Sequence, residues 1–187
     1  MALVTWPASI EYDASFVPER QVQVNRSAYT HVRQALNLGK DGWRVRGEIV
    51  PVSTENEVRA LRAFLAQIQG EQNTFRLIAN GPQHSGSNPT AATGSAGAMT
   101  MTVSGAATLL AGHYVTIPLT TGAKQLALLT ADRSSNTLTL DRPLRAAVAA
   151  STVETIYPYA ELALLSQPQP EDRDGTVSWA FEAEEAW

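Results

Sequence analysis

Between Trp43 and Ile49 apolar and polar residues alternate: Trp43, Val45, Gly47 and Ile49 fall on one face of an extended chain, Arg44, Arg46 and Glu48 on the other. That period of two belongs to a half-buried strand, and Pro51 ends it. Thr54-Glu55-Asn56-Glu57 has the spacing of a capping box, in which the Thr hydroxyl and the Glu carboxylate each satisfy a free backbone N–H at a helix start. Val58, Leu61, Phe64, Leu65 and Ile68 then recur at steps of three and four, which predicts one buried helical stripe, with Gly70 as its left-handed cap. Asn73 to Ala79, carrying Phe75 and Leu77, reads as the next strand, and Ala160 to Leu165 and Thr176 to Phe181 supply two more.

Between these lies a stretch of another kind. Short alternating runs recur at Met99 to Val103, Tyr114 to Ile117, Gln125 to Leu129, Thr137 to Leu140 and Thr152 to Tyr157. Turn formers separate them: Ser104-Gly105, Ala111-Gly112, Thr121-Gly122 and Ser134-Ser135-Asn136. Charge marks the boundary. Residues 83 to 157 carry seven charged side chains in 75, and the remaining 112 carry 25. The expected organisation is an outer β-domain with one helix (about 54–69), built from residues 1–82 and 158–187, and a small β-domain inserted at 83–157. The fold class is mainly β: a β-sandwich or split barrel with one packed α-helix, plus a small inserted β-barrel or sandwich.

Composition narrows the chemistry. The chain has no cysteine, so disulfides, thiolate nucleophiles and cysteine-held metals are excluded. Met1 to Ile10 lacks a basic segment followed by an apolar run, and later apolar stretches are short, so neither a signal peptide nor a membrane span is expected. The net charge is −4, with seven acids against one base from Pro158 to Trp187, a poor balance for gripping a phosphate backbone.

His31, His84 and His113 have no metal-ligand spacing. Gly94-Ser95-Ala96-Gly97 has the wrong spacing for a nucleophile elbow and suits a turn. Glu171 to Gly175 resembles part of a calcium loop, but Pro170 and Phe181 stand where the first and closing ligands belong, so a polar turn between strands is expected. No phosphate-cradling glycine motif occurs. The expectation is a protein without catalytic residues, cofactor or metal. What stands out is charge complementarity: Arg44 and Arg46 on a strand, Arg59 and Arg62 on the helix, and an acidic end holding Glu182, Glu184 and Glu185, which could meet between neighbouring subunits.

The order of elements resembles the distal tail proteins of long, non-contractile bacteriophage tails. The resemblance is carried by the strand from Trp43 to Ile49, the helix with Leu61, Phe64, Leu65 and Gly70, and the strand at Phe75. It continues through a Gly-, Ala- and Thr-rich insert with a hairpin at Leu109 to Val115 and the segment Leu138-Thr139-Leu140 to Pro143-Leu144-Arg145, and closes with Trp179-Ala180-Phe181-Glu182 to Glu185. It implies a virion protein at the tail tip or baseplate, forming a homo-oligomeric ring of six. Its tail-tube-like domain would line a channel through which DNA only passes, with no membrane insertion. The implied partners are tail tube, tape-measure, and baseplate hub or fibre proteins. The alternative is a carbohydrate-binding or adhesin-type module in which Trp6, Trp43, Tyr114 or Trp179 stacks on sugar rings. A core role for Trp43 and Trp179 follows more directly from their alternation with polar residues. A small hydrolase with dispersed Asp and Glu would show no local motif at all.

Overall fold

The computed structural model describes residues 2–26, 33–50, 52, 54–69, 72–166, 168–173 and 176–186, with side chains outside 21–40 and 169–178. The fold is mainly β. Its elements in chain order are β1 (Leu3–Val4), β2 (Tyr12–Arg26), β3 (Arg33–Ile49), α1 (Glu55–Ile68), β4 (Thr74–Ile78), β5 (Thr90–Gly94), β6 (Thr100–Ser104), β7 (Tyr114–Pro118), β8 (Lys124–Leu128), β9 (Thr137–Thr139), β10 (Val148–Ser151), β11 (Tyr159–Leu164), β12 (Gln169–Arg173) and β13 (Thr176–Glu185).

A seven-stranded sheet runs in the order β1-β4-β11-β13-β3-β2, with β12 added on β13. It is antiparallel except for β1 against β4. The alternation read at 43–49 is observed: Trp43, Val45 and Ile49 are buried, and Arg46 and Glu48 are exposed. The sheet curls until its two ends meet. The Tyr12 hydroxyl, on β2, accepts from Ile78 N of β4 at 3.0 Å. Trp6, in the segment joining β1 to β2, fills the gap, edge-on to Tyr12 and Phe64 and 5.9 and 5.8 Å from Phe75 and Phe181 between ring centroids.

Helix α1 forms where its sequence places it. Glu57 N donates to Thr54 Oγ1 and Thr54 N donates to Glu57 Oε2 at 2.9 Å, completing the capping box. Leu61, Phe64 and Ile68 are buried against the sheet. Pro51 and Gly70 lie outside the described residues; Gln69 takes a left-handed conformation at the helix end, with φ 52°. Thr54→Ala removes the acceptor for a helix-start N–H and is expected to lower the unfolding free energy by about 1 kcal/mol in denaturant titration.

A second core belongs to residues between 92 and 153, with Met101, Leu109, Ile117, Leu129, Leu138, Leu140, Leu144 and Val153 at its centre. It lies between a four-stranded sheet, β10-β5-β6-β9, and the hairpin β7-β8. Here the structure departs from the sequence reading. The closing strand is Val148–Ser151, while 152–157 makes only a single bridge, Thr116 to Glu154. Leu109 to Val115 is a turn leading into β7 rather than a hairpin; Gly112 there has φ +87°. Gly94 to Gly97 is the turn between β5 and β6, closed by Ala98 N donating to Ser95 O.

Gly47 shows how closely the outer sheet is packed. It pairs with Phe181, and a Cβ there would lie 2.5 Å from Phe181 Cζ and 3.0 Å from the Asp13 carbonyl. Phe181 is buried and backed by Trp6 and Phe75, so the ring has nowhere to retreat. Gly47→Ala is therefore expected to cost about 1–3 kcal/mol, read as a lowered Tm.

Candidate functional site

The hairpin β7-β8 of the insert packs on the inward face of the large sheet, and a cluster of buried polar groups lies at the junction. Trp43, 2% exposed, donates from Nε1 to the Leu126 carbonyl at 2.8 Å. The Arg142 guanidinium lies over its ring, 4.4 Å from the centroid, and Tyr114 meets it edge-on. Glu185, at the end of β13, accepts from Leu126 N at 2.9 Å and from Arg145 Nη2 at 2.7 Å, with Arg142 Nη1 4.0 Å away. Arg145 also donates to the Asp41 carbonyl.

Asp141 continues the chain of charges. It accepts from Leu128 N and from Arg142, and Arg20 lies 3.5 Å from it while donating to its backbone carbonyl. Gln125, fully buried, accepts from Arg145 N and donates to the Pro143 carbonyl, which fixes the loop that presents Arg142 and Arg145. Cations and anions thus alternate from β2 through the insert to β13. Each buried charge has an opposite charge beside it, the condition under which burial of ions is tolerated.

Burial still leaves its mark on the central pair. It pushes the Glu185 carboxyl up and the Arg145 guanidinium down, to about 10, against the attraction between them. The cost of leaving water outweighs the mutual attraction at both ends.

A second polar seam joins the connecting segments. Gln83 spans Tyr114 N, Tyr114 O and Thr155 O, and Asn88 Oδ1 accepts from Thr155 N and Ile156 N while its amide donates to Glu154. Thr116 Oγ1 and the backbone of Tyr159 exchange hydrogen bonds at 2.7 Å in both directions. The insert is held at its hairpin and at both crossings.

The seven residues singled out from the sequence fall in three places. Arg44 and Arg46 lie on the outward face of the sheet and bracket Glu182 of the adjacent strand, at 2.8 and 3.0 Å. The Arg44 guanidinium holds the Glu182 carboxyl below the usual carboxylate range, and Glu182 in turn raises Arg44. An open cleft of about 460 Å³ over this face is lined by Asp13, Ser15, Arg46, Glu48 and Glu182 among others. Glu184 is exposed and paired in register with Arg44. Glu185 points the other way, into the junction. Arg59 and Arg62 are exposed on α1, away from both, with Arg59 hydrogen-bonded to Asn56.

Sequence reasoning missed Asp41, Asp141, Arg142 and the inward turn of Glu185. A signal existed for the last: counting by two from Phe181 gives Ala183 and Glu185 on the buried face.

His84 Nε2 hydrogen-bonds Thr155 Oγ1 at 2.7 Å, and burial pushes its imidazole down; His113 Nδ1 accepts from Leu110 N. His31, Asp174 and Gly175 are outside the described residues. Among the described residues no three His, Asp or Glu side chains are grouped to hold a metal ion. No described helix is long and apolar enough to cross a membrane. No protein-family model and no curated protein sequence match the chain.

Proposed function

We propose that this chain is a non-enzymatic structural protein of a virion, a distal tail or baseplate ring subunit that joins the tail tube to host-attachment proteins. The observation that carries the reading is the junction: an inserted β-unit bonded through buried charges and paired loops to a split, curled sheet. The buried polar groups of the junction hold two β-units together, and a subunit passing force between a tube and its attachment proteins needs that rigidity. The order of elements, resembling that of distal tail proteins, supports the same reading. The carbohydrate-binding alternative draws less support, because Trp43 is buried under Arg142 and Trp6 is packed among core aromatics.

Under this reading the subunits form a ring of six around a channel for DNA, with the outer sheet facing the tube and the insert directed toward baseplate hub or fibre proteins. Native mass spectrometry of the 187-residue chain is expected to give a closed hexamer, visible as a ring by negative-stain electron microscopy. A strict monomer at high micromolar concentration, never found in purified particles, would overturn it.

A further inference from the structure

The two crossings that join the insert to the outer sheet run side by side, tied by Ala79 N donating to Pro158 O, Gln83 N to Ile156 O and Val153 N to Pro89 O. His84 sits within this ladder, its Nε2 2.7 Å from Oγ1 of Thr155, a residue with no exposed surface. The partners place the protons. Asn88 accepts at Oδ1 from Thr155 N and Ile156 N and donates from Nδ2 to Glu154, which fixes the way its amide faces. The Thr155 hydroxyl gives its one proton to Asn88 Oδ1, 3.1 Å away, and has only a lone pair left for His84. The neutral imidazole therefore carries its hydrogen on Nε2 and a bare lone pair on Nδ1.

Protonation adds a hydrogen at Nδ1. That atom is shut off from solvent, and no acceptor lies within hydrogen-bond reach of it. The chain itself closes over it: a Cβ on Gly86 would stand 3.3 Å from Nδ1. The charged and titratable groups acting on the ring are His113 and Glu154. His113, in the turn leading into β7, adds a like charge when protonated. Glu154, in the second crossing, carries the opposite charge, but its oxygens accept from Asn88 Nδ2, Ile156 N and Tyr157 N and from no atom of His84.

We infer that His84 is an acid-operated latch on the crossings: neutral, it holds them together through Thr155; protonated, it releases them and frees the insert to pivot on the large sheet. The second core, which includes neither His84 nor Thr155, stays folded. Burial, followed by His113, sets the ring's pKa below the ordinary 6.5, and Glu154 opposes them only in part. Closed crossings thus bind the proton less tightly than open ones. The latch is at full strength above 6.5 and weakens as pH falls through that value toward the folded pKa. Glu185 runs the other way, its contribution growing as pH falls, so the two seams of the junction answer acid with opposite sign. The latch belongs to the junction and operates in a lone subunit as in an assembly.

Imidazole NMR and amide hydrogen exchange on the whole chain test it together. His84 is expected to titrate below 6.5. Protection of the Thr155 and Ile156 amides, corrected for the intrinsic pH dependence of exchange, is expected to fall with the same midpoint. The fall should be at least about fivefold, the low end of what a buried N–H without an acceptor costs. The Val103 and Leu140 amides, bonded to the Asn136 and Met99 carbonyls, should keep their protection. His84→Gln, whose amide can still donate to Thr155 and takes no proton, should stay protected from about pH 7.5 to about pH 5.5. A wild-type His84 ring that titrates at or above 6.5, or amides that do not follow it, overturns the latch with no variant required to fold. An equal loss in His84→Gln also overturns it, by tracing the opening to another group. A parallel loss at Val103 and Leu140 does the same, by marking general acid unfolding.

Discussion

Glu185→Leu is expected to lower the unfolding free energy by about 3–5 kcal/mol, because it leaves Arg145 buried beside Arg142 with no carboxylate between them. The Leu126 N–H loses its acceptor as well. The double variant Glu185→Leu/Arg145→Met is expected to recover most of that loss. Burial disfavours the charged form of both partners, so removing the pair together also removes the cost of keeping it out of water. Arg142 keeps Asp141 in either case. Denaturant titration of the two single variants and the double supplies the cycle; costs that simply add would show that the pair is not coupled.

The same pair sets a pH dependence. With its folded pKa above the ordinary 4.5, Glu185 binds its proton more tightly folded than unfolded. Its contribution to stability is therefore greatest below that value and declines as pH rises through the folded pKa. The double variant should lack this decline in pH-dependent unfolding.

Trp43→Ala is expected to cost about 3–5 kcal/mol, the range for deleting a large buried aromatic. It also acts on the junction rather than on one core alone. The Leu126 carbonyl loses its donor, and Arg142 loses the ring it lies on. Limited proteolysis distinguishes the two effects. Cleavage in the crossings at 79–89 and 154–158 should accelerate more than global unfolding predicts, whereas a purely local cavity would leave the ratio unchanged. Trp43→Phe keeps most of the buried area but not the hydrogen bond, so it should fall between wild type and Trp43→Ala.

Much of the fold was legible where one rule acts at short range. The alternation at 43–49, the capping box at Thr54 and the stripe from Leu61 to Ile68 each need only neighbouring residues. The second core, from Ala92 to Val153, lies inside the charge-poor stretch 83–157, while Leu126 of the same stretch is buried in the first core. Tertiary effects were less legible. Strand β2 escaped notice because Pro18, Glu19 and Arg20 break its apolar pattern, and its pairing is set by β3. The Tyr12 to Ile78 closure joins residues 66 positions apart. The strand at 148–151 reads poorly because it contains Ala150 at φ 41° and a register shift. Glu185 was read with its acidic neighbours as surface charge. Only the partner arginines, scarce in a charge-poor segment, give it a place inside.

The position of β13 bears on how the molecule comes to be made. It lies between β11 and β3 in the middle of the large sheet, yet follows β3 only after the helix and the whole insert. During synthesis the insert has all its own strands before β13 has emerged, while β3, and β11 once it is made, must wait with the edges that pair with β13 uncovered. Assembly of the outer sheet is then governed by contacts distant in sequence, which slow folding and prolong exposure. A nascent chain stalled after β11 should hold a folded insert flanked by two sticky half-sheets, the form in which this protein would most need a chaperone.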